Sequence, residues 1–262
     1  MNIINTYIFH FFIFVIIFCI YLNIIRHITI QDIHYISETD YHDNYSINQL
    51  CSLNKPFIFK YYYSSDLDYN FFLNTKYLKL KLYNNKQTYN IPCKKALTLI
   101  NNSNLDKPYL TYNNSSNINN SEFISNIKNI NSDLQPILKT NSKFDIITGT
   151  QYHFTPFISH TNFSCFLFLI SGSINVSLIN SNLYNKFSPL PDPSNIWIKG
   201  KKKTNFVYCK MHEKNVLFLP PYVYTSIKFL TKDAVILALY YDTFSSSFYN
   251  IFNSVSTKIV KR

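Results

Sequence analysis

The stretch CFLFLISGSINVSLI (165–179) decides the fold, because it holds two apolar runs separated only by Ser-Gly. Such a pair of short runs around a glycine is typical of a β-hairpin. Similar runs occur on both sides of it: DIITG (145–149), NVLFLPP (215–221), YTSIKFL (224–230) and AVILALYY (234–241). Short strands separated by turn residues at this spacing predict an all-β barrel or sandwich.

The sequence before residue 144 predicts fewer regular elements. NKPFIFKYYY (54–63) combines β-branched and aromatic residues after a proline and predicts a strand, and so does the alternating KYLKLKLY (76–83). IPCKKALTLINN (91–102) is a candidate for a short helix. Residues 101–132 are rich in Asn and Ser and predict an irregular connection.

Composition excludes several classes of protein. Of the 262 residues, 47% are hydrophobic, which is enough for a sizeable core and argues against a disordered chain. Only 3 are glycine, and no glycine-rich phosphate-binding loop is present. The five cysteines form no CxxC or CxH pair, so a zinc site is not indicated. Buried free thiols are favoured for Cys51, Cys93, Cys165 and Cys209, while two disulfides in a lumenal domain are the alternative.

The N-terminal segment predicts a single-pass membrane protein. Residues 7–25 (YIFHFFIFVIIFCIYLNII) carry no charge, and nineteen helical residues nearly match a ~30 Å hydrocarbon core. No basic region precedes this segment and no small-residue cleavage site follows it, so an uncleaved anchor is favoured over a signal peptide. Arg26 and His27 would favour a cytoplasmic domain, but so small a charge bias leaves the side of the membrane open.

This gives a plan of four parts. Residues 1–26 form the transmembrane anchor, 27–50 a polar juxtamembrane linker, 51–245 the β domain and 246–262 a C-terminal helix or tail. Phe244, Phe248, Ile251, Phe252 and Val255 have helical spacing, so the tail could pack on the domain or on a second copy of the chain. The one dense basic run, Lys199 and 201–203, is interpreted as a solvated loop, and nucleic acid is therefore not expected as a partner.

Three segments, taken in order, resemble JmjC and cupin-like hydroxylases. IITGTQYHFTPFISHTNFSCFLFLISGSINVSLI (146–179) is similar to the family's Thr-Pro-x-His-x-Asp turn with its following strand and Ser-Gly hairpin. EKNVLFLPPYVYTSIKF (213–229) is similar to the segment that carries the third metal ligand, and KPFIFK (55–60) to the opening strand. The resemblance covers about residues 50–245 and implies a mainly-β fold, a double-stranded β-helix of eight strands (the cupin jelly roll) with flanking helices, here preceded by one transmembrane helix.

In this family two His and one carboxylate hold Fe(II), which also takes 2-oxoglutarate. Aligned from Thr155-Pro156, the family ligand positions are occupied by Ile158, His160 and Thr225. Sliding the alignment by one residue gives Ser159 with Thr161, and a further shift gives His160 with Asn162, in which a neutral amide replaces the carboxylate. The strand after the hairpin has no basic residue before Lys186 to pair with 2-oxoglutarate.

No catalytic role is expected for the other histidines, for Glu213 or for the aromatic residues near these segments. His153, His160 and His212 could form a displaced metal site, but loop histidines are the favoured interpretation. Glu213 would serve the turn in which it lies. Trp197 and the pair Tyr222 and Tyr224 are interpreted as core or rim aromatics.

The resemblance therefore implies a membrane-anchored JmjC/cupin-like domain that has lost catalysis and acts by binding or scaffolding. No catalytic residue, cofactor or confident metal ligand is expected, and the partner would be a protein. The alternative is an active Fe(II)/2-oxoglutarate-dependent protein hydroxylase with an atypical metal site. These two hypotheses differ in whether metal binding stabilises the protein.

Overall fold

The structure, a computed structural model, describes residues 3–28, 33–62, 67–75, 77–84, 87–118, 123–179, 206–244 and 246–247. The chain is mainly β, with 40% strand and 29% helix, and its large sheet is mixed. Three features of the sequence lie outside the described residues: Trp197, the basic run at 199–203, and the tail from 248 onward.

The helices and strands alternate in the first half of the chain, and strands dominate the second. The described helices are α1 (Ile3–Ile28), α2 (Asn44–Cys51), α3 (Tyr69–Asn74), α4 (Cys93–Asn101), α5 (Ser115–Ile118), α6 (Phe123–Asn126) and α7 (Lys128–Leu134). The described strands are β1 (Ser37–Asp40), β2 (Phe57–Lys60), β3 (Lys79–Asn84), β4 (Gln87–Pro92), β5 (Leu110–Thr111), β6 (Lys139–Gly149), β7 (Ser164–Ser171), β8 (Ser173–Ile179), β9 (Val207–His212), β10 (Asn215–Leu219), β11 (Tyr224–Phe229) and β12 (Val235–Thr243).

These strands form two sheets. The large sheet has nine strands in the order β1-β2-β10-β7-β12-β6-β5-β3-β4, and the small sheet has three in the order β11-β8-β9. The edge pair β1–β2 is parallel, whereas β10, β7, β12 and β6 pair antiparallel. Two isolated bridges, Phe154 with Lys228 and Ile158 with Thr225, bring the segment after β6 against β11.

Strand β7 (SCFLFLIS) is buried along its whole length because both of its faces are covered. Phe166 and Phe168 point to one side, where they join a core built with residues of α2–α4, α6 and α7. Leu167 and Leu169 point to the other side, where they join a second core shared with the small sheet. A strand alternates its side chains between faces, so the large sheet lies between a helical layer and the small sheet.

The helical layer is held by caps and by apolar anchors. The carboxylate of Asp43 accepts a hydrogen bond from the Ser46 amide at 2.7 Å and begins α2, and Asp68 does the same for α3 through the Phe71 amide at 2.7 Å. Helix α4 buries Ala96, Leu97 and Ile100 on one face.

Several elements predicted from the sequence are confirmed. The strands expected in 54–63 and 76–83 are β2 and β3, and the helix expected in 91–102 is α4. The apolar runs from 145 onward are β6, β7, β8, β10, β11 and β12. The irregular connection expected over 101–132 is wrong, because that stretch holds β5 and three short helices anchored by buried Ile118, Phe123 and Ile130.

The predicted fold class is wrong in its transmembrane helix, whereas its mainly-β part is confirmed. The described strands build a nine-stranded mixed sheet and a three-stranded sheet. A membrane-spanning helix needs about 20 predominantly apolar residues, and among the described residues no helix is both long and apolar enough to cross a membrane. The anchor predicted at 7–25, and with it the single-pass membrane localisation, is therefore corrected.

Candidate functional site

Three positions that the resemblance assigns to metal ligands, Ile158, His160 and Thr225, lie near one end of the space between the two sheets. Ile158 and Thr225 form an antiparallel bridge in which each amide donates to the carbonyl of the other, at 3.0 and 2.9 Å. Residues directly opposite each other in such a pair share a face of the sheet. The Thr225 side chain is buried and faces the core between the sheets, so Ile158 borders the same end of that core. We call this end the mouth.

His160 also belongs to the mouth. Its imidazole makes an edge contact with the ring of Tyr240, at 5.9 Å between centroids, and Tyr240 packs against the core between the sheets. The His160 carbonyl accepts the Tyr222 amide at 2.9 Å. Tyr222 has a φ of 63°, a left-handed conformation that is rare outside glycine and that here turns the chain from Pro221 into β11.

The residues named by the alignment frames make different contacts. Ile158 and His160, two residues apart, both border the mouth. Asn162, the carboxylate position of another frame, donates from Nδ2 to Oδ2 of Asp242 at 2.9 Å. Its amide is therefore engaged with β12.

Polar groups that the sequence did not single out complete the mouth. Tyr240 hydrogen-bonds to Cys165, and burial raises the pKa of both groups well above their usual values. The hydroxyl of Thr225 is buried and has no hydrogen-bond partner among the described residues. The alternation of AVILALYY and CFLFLI could have placed Tyr240 and Cys165 on the core face, but no sequence pattern paired them.

Asp145 on β6 lies on the same face of the large sheet. Its carboxylate accepts hydrogen bonds from the amides of Asn113 at 2.5 Å, Asn114 at 2.8 Å and Ile146 at 2.8 Å, and from Nδ2 of Asn114 at 3.0 Å. Burial raises the pKa of Asp145 to about 6, although each of these donors acts in the opposite direction. Asp145 thus fastens the loop that follows β5.

The residues at the mouth do not fit the family's iron site. Ile158 has no donor atom, Thr225 offers only a neutral hydroxyl, and His160 alone is a good ligand for Fe(II). Within the described ranges, no group of three His, Cys, Asp or Glu side chains is arranged to hold a metal ion.

The inward side chains of β8 do not fit 2-oxoglutarate either. The side chains of β8 that point into the core are Ile174, Val176 and Leu178, all fully buried and apolar. A buried dicarboxylate needs cationic or hydrogen-bonding partners, and these positions supply none.

The other predicted histidines lie elsewhere. His153 lies in the segment after β6 near the other end of β11, where its carbonyl accepts a hydrogen bond from the Phe229 amide. Burial lowers the pKa of His153 to about 4. His212 is exposed at the end of β9, its amide bonded to Asn215 Oδ1 at 2.7 Å, and Glu213 follows it in the turn. The structure therefore does not bring His153, His160 and His212 together.

No protein-family model matches the chain, and no curated protein matches it either.

Proposed function

We propose that this chain is a JmjC/cupin-like domain that has lost its iron site and acts by binding a partner. The observation that carries the proposal is the bridge between Ile158 and Thr225. The resemblance implies that these positions, 67 residues apart, share one site, and their pairing supports that implication.

The chemistry of the mouth supports binding over catalysis. A facial triad needs three protein ligands to hold Fe(II) while leaving positions open, and His160 is the one good ligand among the three positions. Ile158 at the rim is 42% exposed and would contact a partner by packing. The active hydroxylase is the competing function and requires metal-dependent stabilisation.

The test restores the lost ligands. The wild-type chain and the variant Ile158→His/His160→Asp/Thr225→His are melted with increasing Mn(II), which replaces Fe(II) without redox chemistry. We expect no shift for the wild type. At a metal concentration 100 times its Kd, the variant should gain about 2.7 kcal/mol, which is roughly 5–10 °C for a chain of this size.

The matched control is Ile158→Leu/His160→Gln/Thr225→Val, which changes the same three positions and supplies no metal ligand. A response of the restored variant alone supports the family assignment of these positions. No response in that variant contradicts the assignment. A wild-type shift that grows with 2-oxoglutarate and disappears in His160→Ala would instead establish the active hydroxylase.

A further inference from the structure

The small sheet turns one face away from the core. On β8, β9 and β11 the apolar residues Val176, Met211 and Ile227 are buried between the sheets. The alternate positions that are at least partly exposed form the outward face, which consists of Ser173, Asn175, Ser177, Tyr208, Lys210, His212, Tyr224 and Lys228. These three strands contain no Asp or Glu, so the outward face carries positive charge alone.

Two lysines lie in one row across this outward face. Lys228 pairs with Asn175, and Asn175 pairs with Lys210. Neighbouring strands are separated by about 4.8 Å, so the two lysines leave the sheet roughly 10 Å apart. The Lys228 ammonium lies 5.1 Å from the centre of the Phe154 ring, which extends the row by one more residue.

Aromatic rings lie beside the lysines. Tyr208 is 68% exposed and Phe154 is 51% exposed. Phe206 connects Tyr208 to Phe157, with ring centroids 5.9 and 5.6 Å apart and the Phe206–Phe157 pair stacked. Large exposed rings next to cations, with Ser and Asn between them, combine flat surfaces for stacking with donors for phosphate and sugar oxygens.

We propose that the outward face binds single-stranded nucleic acid. Proteins that bind such strands without sequence preference combine a basic surface along the backbone with aromatic side chains on which bases stack. The face has both components, and the chain as a whole carries a net charge of +11, complementary to a polyanion. The sequence predicted no nucleic-acid partner because its one dense basic run, near residue 200, was interpreted as a solvated loop. Lys210 and Lys228 are far apart in the sequence and are brought together by strand pairing.

Single-stranded nucleic acid is thus named as a partner for the proposed binding function, and in that respect the inference rests on that function. The two tests fail separately, because the metal titration probes the mouth and the oligonucleotide titration probes the outward face.

The experiment is fluorescence anisotropy with a labelled oligouridylate of about twelve nucleotides, a length within the usual site size. The full chain is titrated at salt concentrations from about 50 to 200 mM. Lys210→Ala and Lys228→Ala should each reduce the slope of log K against log salt by about 0.7. Tyr208→Ala should weaken binding roughly 5- to 150-fold without changing that slope.

The matched controls are Lys94→Ala on α4 and Tyr45→Ala on α2. Both side chains are exposed, and both helices pack on the opposite face of the large sheet. Controls that bind like the wild type, together with weakened binding by Lys210→Ala and Tyr208→Ala, support the proposal.

Three results would overturn it. The first is an absence of anisotropy change at the lowest salt. The second is binding that Lys210→Ala and Tyr208→Ala leave unchanged. The third is that these two variants no longer bind phosphatidylcholine vesicles containing phosphatidylserine but still bind the oligonucleotide like the wild type. The outward face would then recognise an anionic lipid surface.

Discussion

Replacing the buried carboxylate of Asp145 by an amide should change how stability depends on pH. Asp145 is 4% exposed and is held by four N–H donors of the loop and strand around it. Burial nevertheless raises its pKa from 3.8 to about 6, because desolvation outweighs these hydrogen bonds. The folded protein therefore binds the proton of Asp145 more tightly than the unfolded chain does.

The sign and size follow from linkage. Well below the unfolded pKa of 3.8 the carboxyl is protonated in both states, and the raised pKa costs nothing. Between the unfolded pKa and the folded pKa the native state holds more protons, so stability falls as pH rises. A rise of about two pKa units corresponds to about 3 kcal/mol, lost in full above pH ~6.

The assay is urea unfolding of the wild type and Asp145→Asn from pH 4 to pH 7. Other titrating groups act in both proteins, so the difference in their free energies of unfolding isolates Asp145. Over this pH range that difference should move by about 2.5 kcal/mol in favour of the variant as pH rises. A constant offset of about 1–3 kcal/mol against the variant is also expected, because the new amide faces the N–H of Asn113.

The matched control is Asp106→Asn, which removes the negative charge of an exposed carboxylate instead of a buried one. If the difference between wild type and Asp145→Asn stays constant with pH, or moves toward the wild type as pH rises, then the hydrogen bonds outweigh desolvation at this carboxylate. The reasoning would then be refuted.

Three further outcomes test other parts of the fold. Gly149→Ala would place a Cβ 2.5 Å from a carbon of the Phe229 ring, so thermal melting should show a loss of about 1–3 kcal/mol, and an unchanged Tm would contradict the packing. Tyr61→Phe removes the hydrogen bond that the Tyr61 hydroxyl donates to Asp133 at 2.5 Å, so the free energy of unfolding measured in urea should fall by about 1.5–3 kcal/mol. The control Tyr62→Phe, at a ring that is 76% exposed, should leave that free energy unchanged. Burial raises the pKa of the Cys51, Cys93 and Cys165 thiols. In the background Cys19→Ser/Cys209→Ser, iodoacetamide near pH 8 should therefore label the native protein slowly and the urea-unfolded protein fast, and rapid native labelling would contradict the burial of these three thiols.

Most strands of the second half could be predicted from the sequence because buried strands appear there as uninterrupted or nearly uninterrupted apolar runs. Phe166 to Ile170 is apolar without interruption, which is what a strand covered on both faces requires. Strand β9 (VYCKMH) gives no such signal, since its outward residues include Tyr208 and Lys210 and its inward face is only partly buried.

The helices in the Asn-rich stretch escaped prediction for a different reason. Four-residue helices such as α5 and α6 have too few positions to show a period, and each is held by one buried side chain, Ile118 or Phe123. Their stability comes from the sheet beneath them, which local sequence does not report.

The site was predictable only in part. The resemblance named Ile158, His160 and Thr225, but the contact of His160 with Tyr240 depends on strand pairing across about 80 residues. The outward face has the same origin, because Lys210 and Lys228 become neighbours only through Asn175 on the strand between them.

The position of β12 has a consequence for biosynthesis. This strand comes after all other described strands in the sequence, yet it lies in the middle of the large sheet between β7 and β6. Until residues 235–243 have been synthesised, β6 and β7 each lack the neighbour they hold in the native sheet. Pairing over such sequence separations is slow, and the unpaired edges are prone to aggregation. A nascent chain on the ribosome therefore cannot complete either core, and we expect it to depend on chaperones until β12 inserts.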